Sequence, residues 1–435
     1  MSSKYVLKSV LLPNGDKRDI AIEDGVISAV SENFAPTSHV VIDASGSRVL
    51  PGLVDLHTHL REPGREDAET VLTGSRAGAK GGFTALSAMA NTSPVADTAG
   101  VVEQVYRLGQ EAGYLDVFPI GAVTKGLMGE SLSEIGAMAD SIAHVRIFSD
   151  DGNCVFDPLL MRRALEYVKK FGGVIAQHAQ DPRLTIGSQM NEGEISARLG
   201  LKGWPAVAEE AIIARDVLLA DHVKSRLHIC HVTTAGGVEI IRWAKDRGIN
   251  VTAEVTPHHL LLTDDRATSY DPIFKVNPPL RTSDDVHALR EALAEGIIDI
   301  VATDHAPHPV ESKECEWQEA SFGMLGLETA LSIVQKTMVD SNLMSWEQVA
   351  DRMSSAPARI GGYKNQGQEI AVGSVANLVV IDASKNWQVD RDLTMSKATN
   401  TPYHGLILPG VVTHTFYKGH ATVIGSIVQK IGDVQ

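Results

Sequence analysis

The sequence is poor in cysteine, and its cysteines form no recognisable pair. Only three occur in 435 residues, at Cys154, Cys230 and Cys315, and no two of them make a Cys-x-x-Cys motif. This excludes a disulfide framework and a cysteine metal knuckle, and it indicates a reducing compartment, so we expect a cytoplasmic protein. No apolar run reaches the roughly 18 residues of a membrane helix. The start, Met1-Ser2-Ser3-Lys4, lacks the apolar block of a signal peptide.

Positive charge is also scarce, because 39 Lys and Arg stand against 54 Asp and Glu for a net charge of −15. Without a local basic stripe, this balance argues against a nucleic-acid-binding or membrane-binding module. Hydrophobic residues make up 43% of the chain and charged residues 21%, which leaves ample material for a core. At roughly 150 residues per domain, the length fits three domains or one large barrel with a smaller unit.

Both ends of the chain have the alternating pattern of β-strands. Two short alternating runs flank Asp24-Gly25 within 19–30, a strong hairpin signal, and another strand-like run follows at 40–43. Near the other end, 376–382 and 411–423 carry similar patterns. Either end alone, at about 50 to 75 residues, makes only a marginal core. We therefore expect both ends to combine in one composite β-sandwich domain.

The middle of the chain alternates apolar strand candidates with longer amphipathic segments. The eight strand candidates are 53–59, 83–89, 117–123, 145–149, 174–178, 227–231, 251–255 and 298–304. Helix-like segments between them include 159–171, 206–222, 236–247 and 284–294. Eight such units in roughly 300 residues predict a parallel (β/α)8 barrel, a TIM barrel, within an α/β protein. A doubly wound open sheet is the alternative, although neither GxGxxG nor GxxxxGK[ST] occurs.

These patterns predict the domain organisation. We expect the N-terminal part of the β domain at 1–51, the barrel at 52–358, and the C-terminal part of the β domain at 359–435. In such a barrel, function should lie at the C-terminal ends of the strands.

Potential metal ligands follow the strand candidates. His57 and His59 end the first strand, and their spacing of two puts both imidazoles on one face. The remaining strand-end ligands are Asp150 or Asp151, His178, His231 and Asp304. Each alone is equally well explained by a buried, hydrogen-bonded histidine or a capping aspartate. Together they supply enough nitrogen and oxygen ligands for two divalent ions.

The composition of this ligand set indicates a type of chemistry. With no thiolate present, Zn²⁺ is favoured, and Mn²⁺ and Co²⁺ are alternatives. Two ions about 3.5–4 Å apart can share a bridging water, lower its pKa and polarise a neighbouring carbonyl oxygen. This serves hydrolysis of an amide-like bond or its reverse, with a carboxylate to collect and return the proton. Asp304 is our candidate for that carboxylate.

Two segments resemble a known family. Asp55-Leu56-His57-Thr58-His59-Leu60-Arg61-Glu62-Pro63-Gly64 and Ala302-Thr303-Asp304-His305-Ala306-Pro307-His308 are similar to motifs of the amidohydrolase superfamily, and within it of the class I bacterial dihydroorotases. The resemblance extends over essentially the whole chain. It implies reversible interconversion of N-carbamoyl-L-aspartate and L-dihydroorotate, the third step of de novo pyrimidine synthesis. It also implies a homodimer that acts on this small molecule and can associate with aspartate transcarbamoylase.

The resemblance assigns a role to each ligand by position. It makes His57 and His59 ligands of a first Zn²⁺, and His178 and His231 ligands of a second. Asp304 joins the first ion and acts as the catalytic acid and base.

The bridge between the two ions is an aspartate in this interpretation. Many superfamily members carry a carboxylated lysine at the end of strand four, but 144–151 contains no lysine, so none is expected. Asp151 then bridges both ions together with a hydroxide. Asp150 is its rival, and the other of the two would cap or hold a neighbouring group.

Substrate contacts are the next expectation. The implied substrate carries a carboxylate, for which a planar guanidinium is the natural partner, and Arg61 stands two residues beyond His59. The alternative for Arg61 is a solvated arginine paired with Glu62 or Glu66. The resemblance also implies contacts from His59, Asn91, Asn277, His308 and the backbone groups of Phe322 and Gly323. For the two asparagines the alternative is turn capping, because both lie in proline-containing turn-like segments.

Two further segments are interpreted from position alone. Residues 307–321 follow the last strand candidate without periodicity, and we expect a mobile loop that closes over the substrate. His258 and His259 are expected to pack in the core, since strand seven supplies no metal ligand in the resembling family.

Two other functions compete with this reading. An allantoinase or hydantoinase generally carries the strand-four lysine and lacks His-x-His-x-Arg-Glu, so two features count against it. A catalytically silent barrel that serves as a scaffold for aspartate transcarbamoylase would have lost ligands, whereas all six ligand positions are filled.

Overall fold

The hairpin expected near the N-terminus is present in the computed structural model, which describes residues 4–430. Asp24 and Gly25 both have positive φ, +49° and +84°, the geometry that matches the twist of two antiparallel strands. The strands of this end are β1 (Tyr5–Leu11), β2 (Lys17–Glu23), β3 (Val26–Ser31), β4 (Val40–Asp43) and β5 (Arg48–Pro51).

The middle region contains ten strands, and eight of them correspond to the eight strand candidates. In chain order they are β6 (Leu53–Thr58), β7 (Phe83–Ala88), β8 (Asp116–Pro119), β9 (Ile147–Phe148), β10 (Val174–Gln177), β11 (Met190–Asn191), β12 (Gly203–Trp204), β13 (Leu227–Ile229), β14 (Val251–Val255) and β15 (Ile300–Val301). Strands β11 and β12 pair only with each other.

The other eight strands close into a barrel. Strands β6, β7 and β8 pair in parallel, and so do β9, β10, β13, β14 and β15. Parallel bridges between Gly121 and Phe148 and between Thr58 and His305 join the two groups at both edges. This confirms the (β/α)8 prediction and excludes the open sheet, because no barrel strand keeps a free edge.

Helices follow the barrel strands as expected. Their bounds are α1 (Val71–Lys80), α2 (Ala99–Ala112), α3 (Ile135–Asp140), α4 (Pro158–Lys169), α5 (Glu194–Leu199), α6 (Val207–Val223), α7 (Ala235–Asp246), α8 (Pro257–Leu261), α9 (Ser283–Glu295), α10 (Ala330–Val334), α11 (Trp346–Ala350) and α12 (Ala356–Gly361). The four predicted helices are α4, α6, α7 and α9, with ends within two residues of those expected. Within residues 4–430, no helix combines the length and apolarity needed to cross a bilayer.

Helix α4 shows why these segments become helical. Asp157 precedes it and accepts a hydrogen bond from the Leu160 N–H at 2.7 Å, and Pro158 occupies the first turn, where it costs no hydrogen bond. The buried residues recur every three to four positions and form one apolar face; they are Leu160, Met161, Ala164, Leu165 and Val168. That face packs against the barrel strands.

The two ends of the chain meet in one sheet. The last strands are β16 (Leu378–Gln388), β17 (Ile407–Tyr417), β18 (His420–Ile424) and β19 (Ile427–Val428). Strand β16 pairs antiparallel with β5, which links β17, β18 and β19 to the N-terminal strands in a nine-stranded sheet. Apolar side chains from both ends share one core, which includes Leu7, Ile20, Ile22, Val49, Leu378, Val380 and Phe416. A composite β domain is therefore present.

Candidate metal and substrate site

The predicted ligands converge at the C-terminal ends of the barrel strands. His57 lies within β6, but the others lie one to three residues beyond their strands, so several strand candidates were too long at this end. The backbone explains the early ends, because His231 and Asp304 have positive φ of +30° and +47°. Residues with side chains rarely adopt this conformation, and in folded proteins such strain is concentrated at functional sites.

A first cluster brings together His57, His59 and Asp151. One ligand atom from each lies within 4.8 Å of the others, and all three residues are buried. Both histidines direct Nε2 at the same carboxylate oxygen, since each Nε2 lies 3.4 Å from Asp151 Oδ2.

A second cluster lies on the other side of the same carboxylate. Asp151 Oδ1 is 3.0 Å from His178 Nδ1 and 3.0 Å from His231 Nε2. Asp151 thus presents one oxygen to each pair of histidines, which is the arrangement of a carboxylate that bridges two cations. The two clusters are able to hold metal ions.

Asp304 completes the first cluster. Its Oδ1 lies 3.0 Å from His59 Nε2 and 3.5 Å from His57 Nε2. Burial alone raises the pKa of this carboxyl, but the neighbouring His57 and His59 imidazoles outweigh burial and hold the pKa well below its usual range. The carboxylate is therefore ionised and faces the shared Asp151 site.

Asp150, the rival of Asp151, points elsewhere. Its Oδ1 accepts hydrogen bonds from the N–H groups of Val123 and Thr124 at 2.8 and 2.9 Å, and the Thr124 hydroxyl donates to Oδ2. This carboxylate is buried and fully engaged in holding the segment after β8. The geometry therefore favours Asp151 over Asp150 at the metal site.

The donor set fits divalent cations on further grounds. His57 Nε2 is buried and makes no hydrogen bond among the described residues, although a buried polar atom normally has a partner. Two carboxylates and four imidazoles surround one point. These buried groups bring negative charge and nitrogen lone pairs close together. Their desolvation and mutual repulsion cost free energy unless a cation binds between them.

The outward nitrogens of three histidines are fixed by oxygen atoms. Glu254 Oε1 lies 2.6 Å from His57 Nδ1, Asn91 Oδ1 lies 3.0 Å from His59 Nδ1, and Gln180 Oε1 lies 2.5 Å from His178 Nε2. Such partners select the tautomer and orient the ring toward the ion. The sequence interpretation missed Glu254 and Gln180. A usable signal for Glu254 was a carboxylate within a predicted barrel strand, Val251-Thr252-Ala253-Glu254-Val255, in which it is the one charged residue.

A cavity of about 140 Å³ opens beside the two clusters. Every residue predicted to contact substrate lines this cavity, together with three of the predicted ligands and two small neighbours: His59, Arg61, Asn91, Asp151, Gly152, His178, Asn277, Asp304, Ala306, His308, Phe322 and Gly323. Residues from six different loops therefore meet here, as is usual at this face of a barrel.

Arg61 is buried in the cavity wall and lacks a carboxylate partner within residues 4–430. Its Nε donates to the Pro307 carbonyl at 3.1 Å, while Glu62 and Glu66 accept from the N–H groups of Val71 and Gly64. The solvated ion pair considered above is thus absent. Burial lowers the pKa of Arg61 to about 10, so the guanidinium stays charged at neutral pH and is available to an anionic group.

Asn277 and His308 each present an unpaired buried atom. The Asn277 Oδ1 and the His308 Nδ1 have no hydrogen-bond partner in the part of the chain that the structure describes. His308 Nε2 lies 2.7 Å from the Phe322 carbonyl and donates to it, which leaves Nδ1 as an acceptor. Burial and the nearby Arg61 charge lower the pKa of His308 to about 3, so it is neutral. Both atoms can accept hydrogen bonds from a ligand.

Gly323 is required by close packing. Its φ is +144°, and a Cβ there would lie 2.7 Å from His308 Nε2 and 2.8 Å from Ala306 Cβ. Its backbone groups are engaged within the protein, because its N–H donates to the Lys275 carbonyl at 3.0 Å and its carbonyl accepts from Lys313 and Asn400. Gly323 therefore contributes space to the cavity, and Phe322 is the better placed of the two for backbone contacts.

His258 and His259 are buried beside the site, as expected for packing residues. His259 lies between the Thr256 hydroxyl at 2.8 Å and the Pro278 carbonyl at 3.2 Å. It thereby fixes the turn that carries Asn277.

Comparison with known proteins adds sequence relatives of the whole chain. A family model described as "Dihydro-orotase-like" matches residues 46–236. A curated dihydroorotase from Streptomyces coelicolor is 64% identical over 422 residues, covering 97% of this chain and 99% of the relative. Another from Leifsonia xyli subsp. xyli is 59% identical and covers 98% of both chains. A third, from Mycobacterium tuberculosis, is 54% identical and covers 94% of this chain and 95% of its own.

Solved structures with the same fold include an L-hydantoinase (dihydropyrimidinase) from Arthrobacter aurescens. It is 27% identical with a TM-score of 0.88, covering 99% of this chain and 98% of its own. A dihydropyrimidinase from Brevibacillus agri, at 21% identity and a TM-score of 0.83, shares the fold over 98% of this chain and 96% of its own.

Proposed function

The chain belongs to the dihydroorotase family, and on that premise we propose that its cavity interconverts N-carbamoyl-L-aspartate and L-dihydroorotate. It is a metal-dependent cyclic amide hydrolase that acts in pyrimidine biosynthesis. The observation that carries the proposal is the shared Asp151 carboxylate, which faces two histidine pairs at the wall of a cavity. Arg61, which has no carboxylate partner within residues 4–430, lines the same cavity.

We assign the metal-binding residues as follows. His57, His59 and Asp304 would hold one Zn²⁺, His178 and His231 would hold the other, and Asp151 would be shared between the two sites. When bound, these ions supply a Lewis acid that polarises the scissile carbonyl and lowers the pKa of the attacking water. Asp151 is an unmodified carboxylate in this assignment, and no carboxylated lysine takes part.

Asp304 moves the proton. Its ionised carboxylate lies beside His59 and lines the cavity, so it can accept a proton from the attacking water. It then returns this proton to the ring nitrogen as the amide bond breaks. In the direction of ring closure, the same carboxylate takes the proton from the carbamoyl nitrogen.

The remaining cavity residues orient the substrate. Arg61 binds the substrate carboxylate, because it is a charged guanidinium without a carboxylate partner within residues 4–430. Asn277 Oδ1 and His308 Nδ1 accept hydrogen bonds from ring N–H groups, and the Asn91 side chain and the Phe322 backbone complete the contacts. Gly323 keeps the ring close to Phe322 by leaving space. These groups lie on loops held by the barrel, which fixes their mutual distances.

An activity on hydantoin or dihydropyrimidines is the second candidate, since the Arthrobacter L-hydantoinase shares the fold at 27% identity. Neither of those rings carries the carboxylate that the buried Arg61 guanidinium, which lacks a carboxylate partner within residues 4–430, would bind. We therefore favour dihydroorotate.

The test combines elemental analysis with substrate specificity. We expect two zinc ions per chain and hydrolysis of L-dihydroorotate, with no turnover of hydantoin or allantoin at matched enzyme concentration. Turnover of hydantoin without turnover of dihydroorotate would overturn the assignment. Chains that hold no metal, and that hydrolyse none of these rings after incubation with Zn²⁺, Mn²⁺ or Co²⁺, would show that the barrel is a silent scaffold.

The organisation of the protein is part of the proposal. We propose a cytoplasmic homodimer, divided into domains at 51/52 and 358/359, that can associate with aspartate transcarbamoylase. Light scattering of the purified chain, alone and mixed with aspartate transcarbamoylase from the same cell, tests the assembly.

A further inference from the structure

Lys313 has an unusual environment for a lysine. It lies in the 307–321 loop, its side chain is only 5% exposed, and its ammonium contacts no carboxylate within residues 4–430. Instead Nζ donates to three backbone carbonyls, those of Lys275, Ser321 and Gly323, at 3.1, 2.9 and 3.0 Å. An ammonium has three N–H donors, so all of them are used.

Lys275 connects the same two segments in the other direction, because it lies outside the loop and its ammonium binds carbonyls of the loop. It lies two residues before Asn277, is 1% exposed, and donates from Nζ to the carbonyls of Trp317 and Gln318 at 2.7 and 3.0 Å. The same ammonium lies 4.5 Å from the ring centroid of Phe322, within the range of a cation–π contact.

The two lysines therefore cross-connect three segments. Lys313 lies in the loop and binds the segment that carries Asn277. Lys275 lies in that segment and binds the loop. The Lys275 carbonyl also accepts from the Gly323 N–H at 3.0 Å, so Phe322 and Gly323 are tied into the same unit. We call these two side chains the lysine clasp.

The two buried ammonium groups of the clasp reduce the stability of the folded protein. Burying an ammonium without a carboxylate partner is costly, and carbonyl dipoles compensate for only part of that cost. Burial lowers the pKa of both lysines, to about 7 for Lys313 and about 8 for Lys275. Apolar side chains of similar size would avoid this cost but would leave the loop carbonyls unheld. The arrangement thus holds a backbone conformation, and that conformation sets the cavity wall at Phe322 and Gly323.

We propose that Lys275 and Lys313 are positioning residues that hold the 307–321 loop closed against the Asn277 segment and thereby set the affinity for substrate. Neither lysine lines the substrate cavity. The effect on substrate rests on the proposed function, whereas the effect on the loop does not.

The loop itself offers a probe of closure. It carries four exposed glutamates, Glu311, Glu314, Glu316 and Glu319, which are sites for a protease that cleaves after glutamate. In Lys313→Met, which keeps the apolar stem and removes the donors, we expect loop cleavage to accelerate at least about tenfold, the effect of losing one hydrogen bond to a charged group. Lys275→Met should do the same from the other side.

Kinetics separate positioning from general damage. In either variant we expect KM for dihydroorotate to rise about tenfold, kcat to change less than about threefold, and metal content to stay at the wild-type value. Lys169→Met is the matched control, because Lys169 also donates to a backbone carbonyl, that of Val223, but on the exterior of the barrel. It should match wild type in both assays.

The possible outcomes are distinct. Cleavage rates and KM values equal to those of the control would overturn the clasp. A protein that cleaves faster in both variants but never hydrolyses dihydroorotate would retain the clasp and overturn the proposed function.

A measurement on the unmodified protein covers the case in which both variants fail to fold. Lysine acylation, read by peptide mass spectrometry, should label Lys275 and Lys313 at least about tenfold more slowly than the exposed Lys364. Labelling of the three at equal rates would show that the loop is not held and would also overturn the proposal.

Discussion

His57 and Glu254 lie 197 positions apart in the sequence, yet His57 Nδ1 donates to Glu254 Oε1 at 2.6 Å. Glu254 also contacts His228 Nε2 at 3.0 Å and accepts from the His231 N–H at 3.2 Å. One buried carboxylate therefore orients the ring of a ligand in the first cluster and the backbone of a ligand in the second.

Glu254→Gln tests this relationship. The substitution keeps the size of the side chain but removes the charge that fixes the His57 tautomer. We expect metal affinity to fall about 10- to 100-fold, the usual effect of losing such a partner. Competition with a chromophoric chelator measures it. Glu239→Gln, an exposed change on α7, should leave affinity unchanged, and equal affinities in both variants would contradict the role of Glu254.

The contrast between His57 and Glu254 shows what the sequence could predict. Strand-end histidines are recognisable because their chemistry is rare and their positions follow from strand periodicity, so His57, His59, His178 and His231 could be placed together. The position of Glu254 within a barrel strand is visible in the sequence, but its pairing with His57 could not be predicted, because that depends on which side chain faces it across the barrel interior. The lengths of the strands were misjudged for a related reason. The sequence pattern suggested that these strands extend to His231 and Asp304. The positive φ of both residues instead ends the hydrogen bonding between strands before them.

The β domain could be predicted from the sequence, whereas the contacts of the 307–321 loop could not. The shared sheet of both ends could be predicted because neither end can bury enough apolar surface alone. The clasp at Lys275 and Lys313 could not, since lysines in a polar loop normally indicate solvent exposure. The expectation that residues 307–321 move over the substrate stays a prediction, and the structure adds the contacts that would oppose this motion.

Asp151 and Asp150 should have separable effects. Asp151→Ala removes the one carboxylate shared by both clusters, so we expect loss of both ions and of activity. His178→Ala removes a donor of the second cluster only and should retain about one ion. Elemental analysis after desalting measures both.

Asp150→Ala is the control for this pair. It deprives the Val123 and Thr124 N–H groups of their acceptor, and we expect a loss of about 1–3 kcal/mol in the free energy of unfolding with metal content retained. Loss of both ions from Asp150→Ala but not from Asp151→Ala would reverse the two assignments.

Arg61→Ala should separate substrate affinity from metal binding. The guanidinium has no carboxylate partner among the described residues and binds the substrate carboxylate in our proposal. Losing a bidentate, charge-assisted contact should raise KM for dihydroorotate about 100-fold, while metal content stays near that of wild type. Steady-state kinetics with elemental analysis decides it. Loss of metal in this variant would mean that Arg61 supports the ligands rather than the substrate.

Glu328 predicts a pH dependence of stability that does not involve the metal site. Burial raises the pKa of this carboxyl to about 7, although the Met395 N–H at 2.7 Å and nearby Lys80 oppose the increase. Between the ordinary pKa near 4.5 and about 7, the folded chain holds a proton that the unfolded chain has lost. The contribution of Glu328 to stability therefore falls as pH rises through this window and is constant above it.

Glu328→Gln should remove this penalty, because glutamine can still accept from the Met395 N–H and carries no charge. Relative to wild type, we expect no gain in the free energy of unfolding at pH 4.5 and a gain of about 1–3 kcal/mol at pH 8. Urea unfolding of the metal-loaded proteins at several pH values measures the difference, in which the titration of all other groups cancels. The exposed Glu130→Gln should show no such trend. A gain that is equal at both pH values would show that the pKa of Glu328 is not raised in the folded protein, because water reaches and solvates its carboxylate.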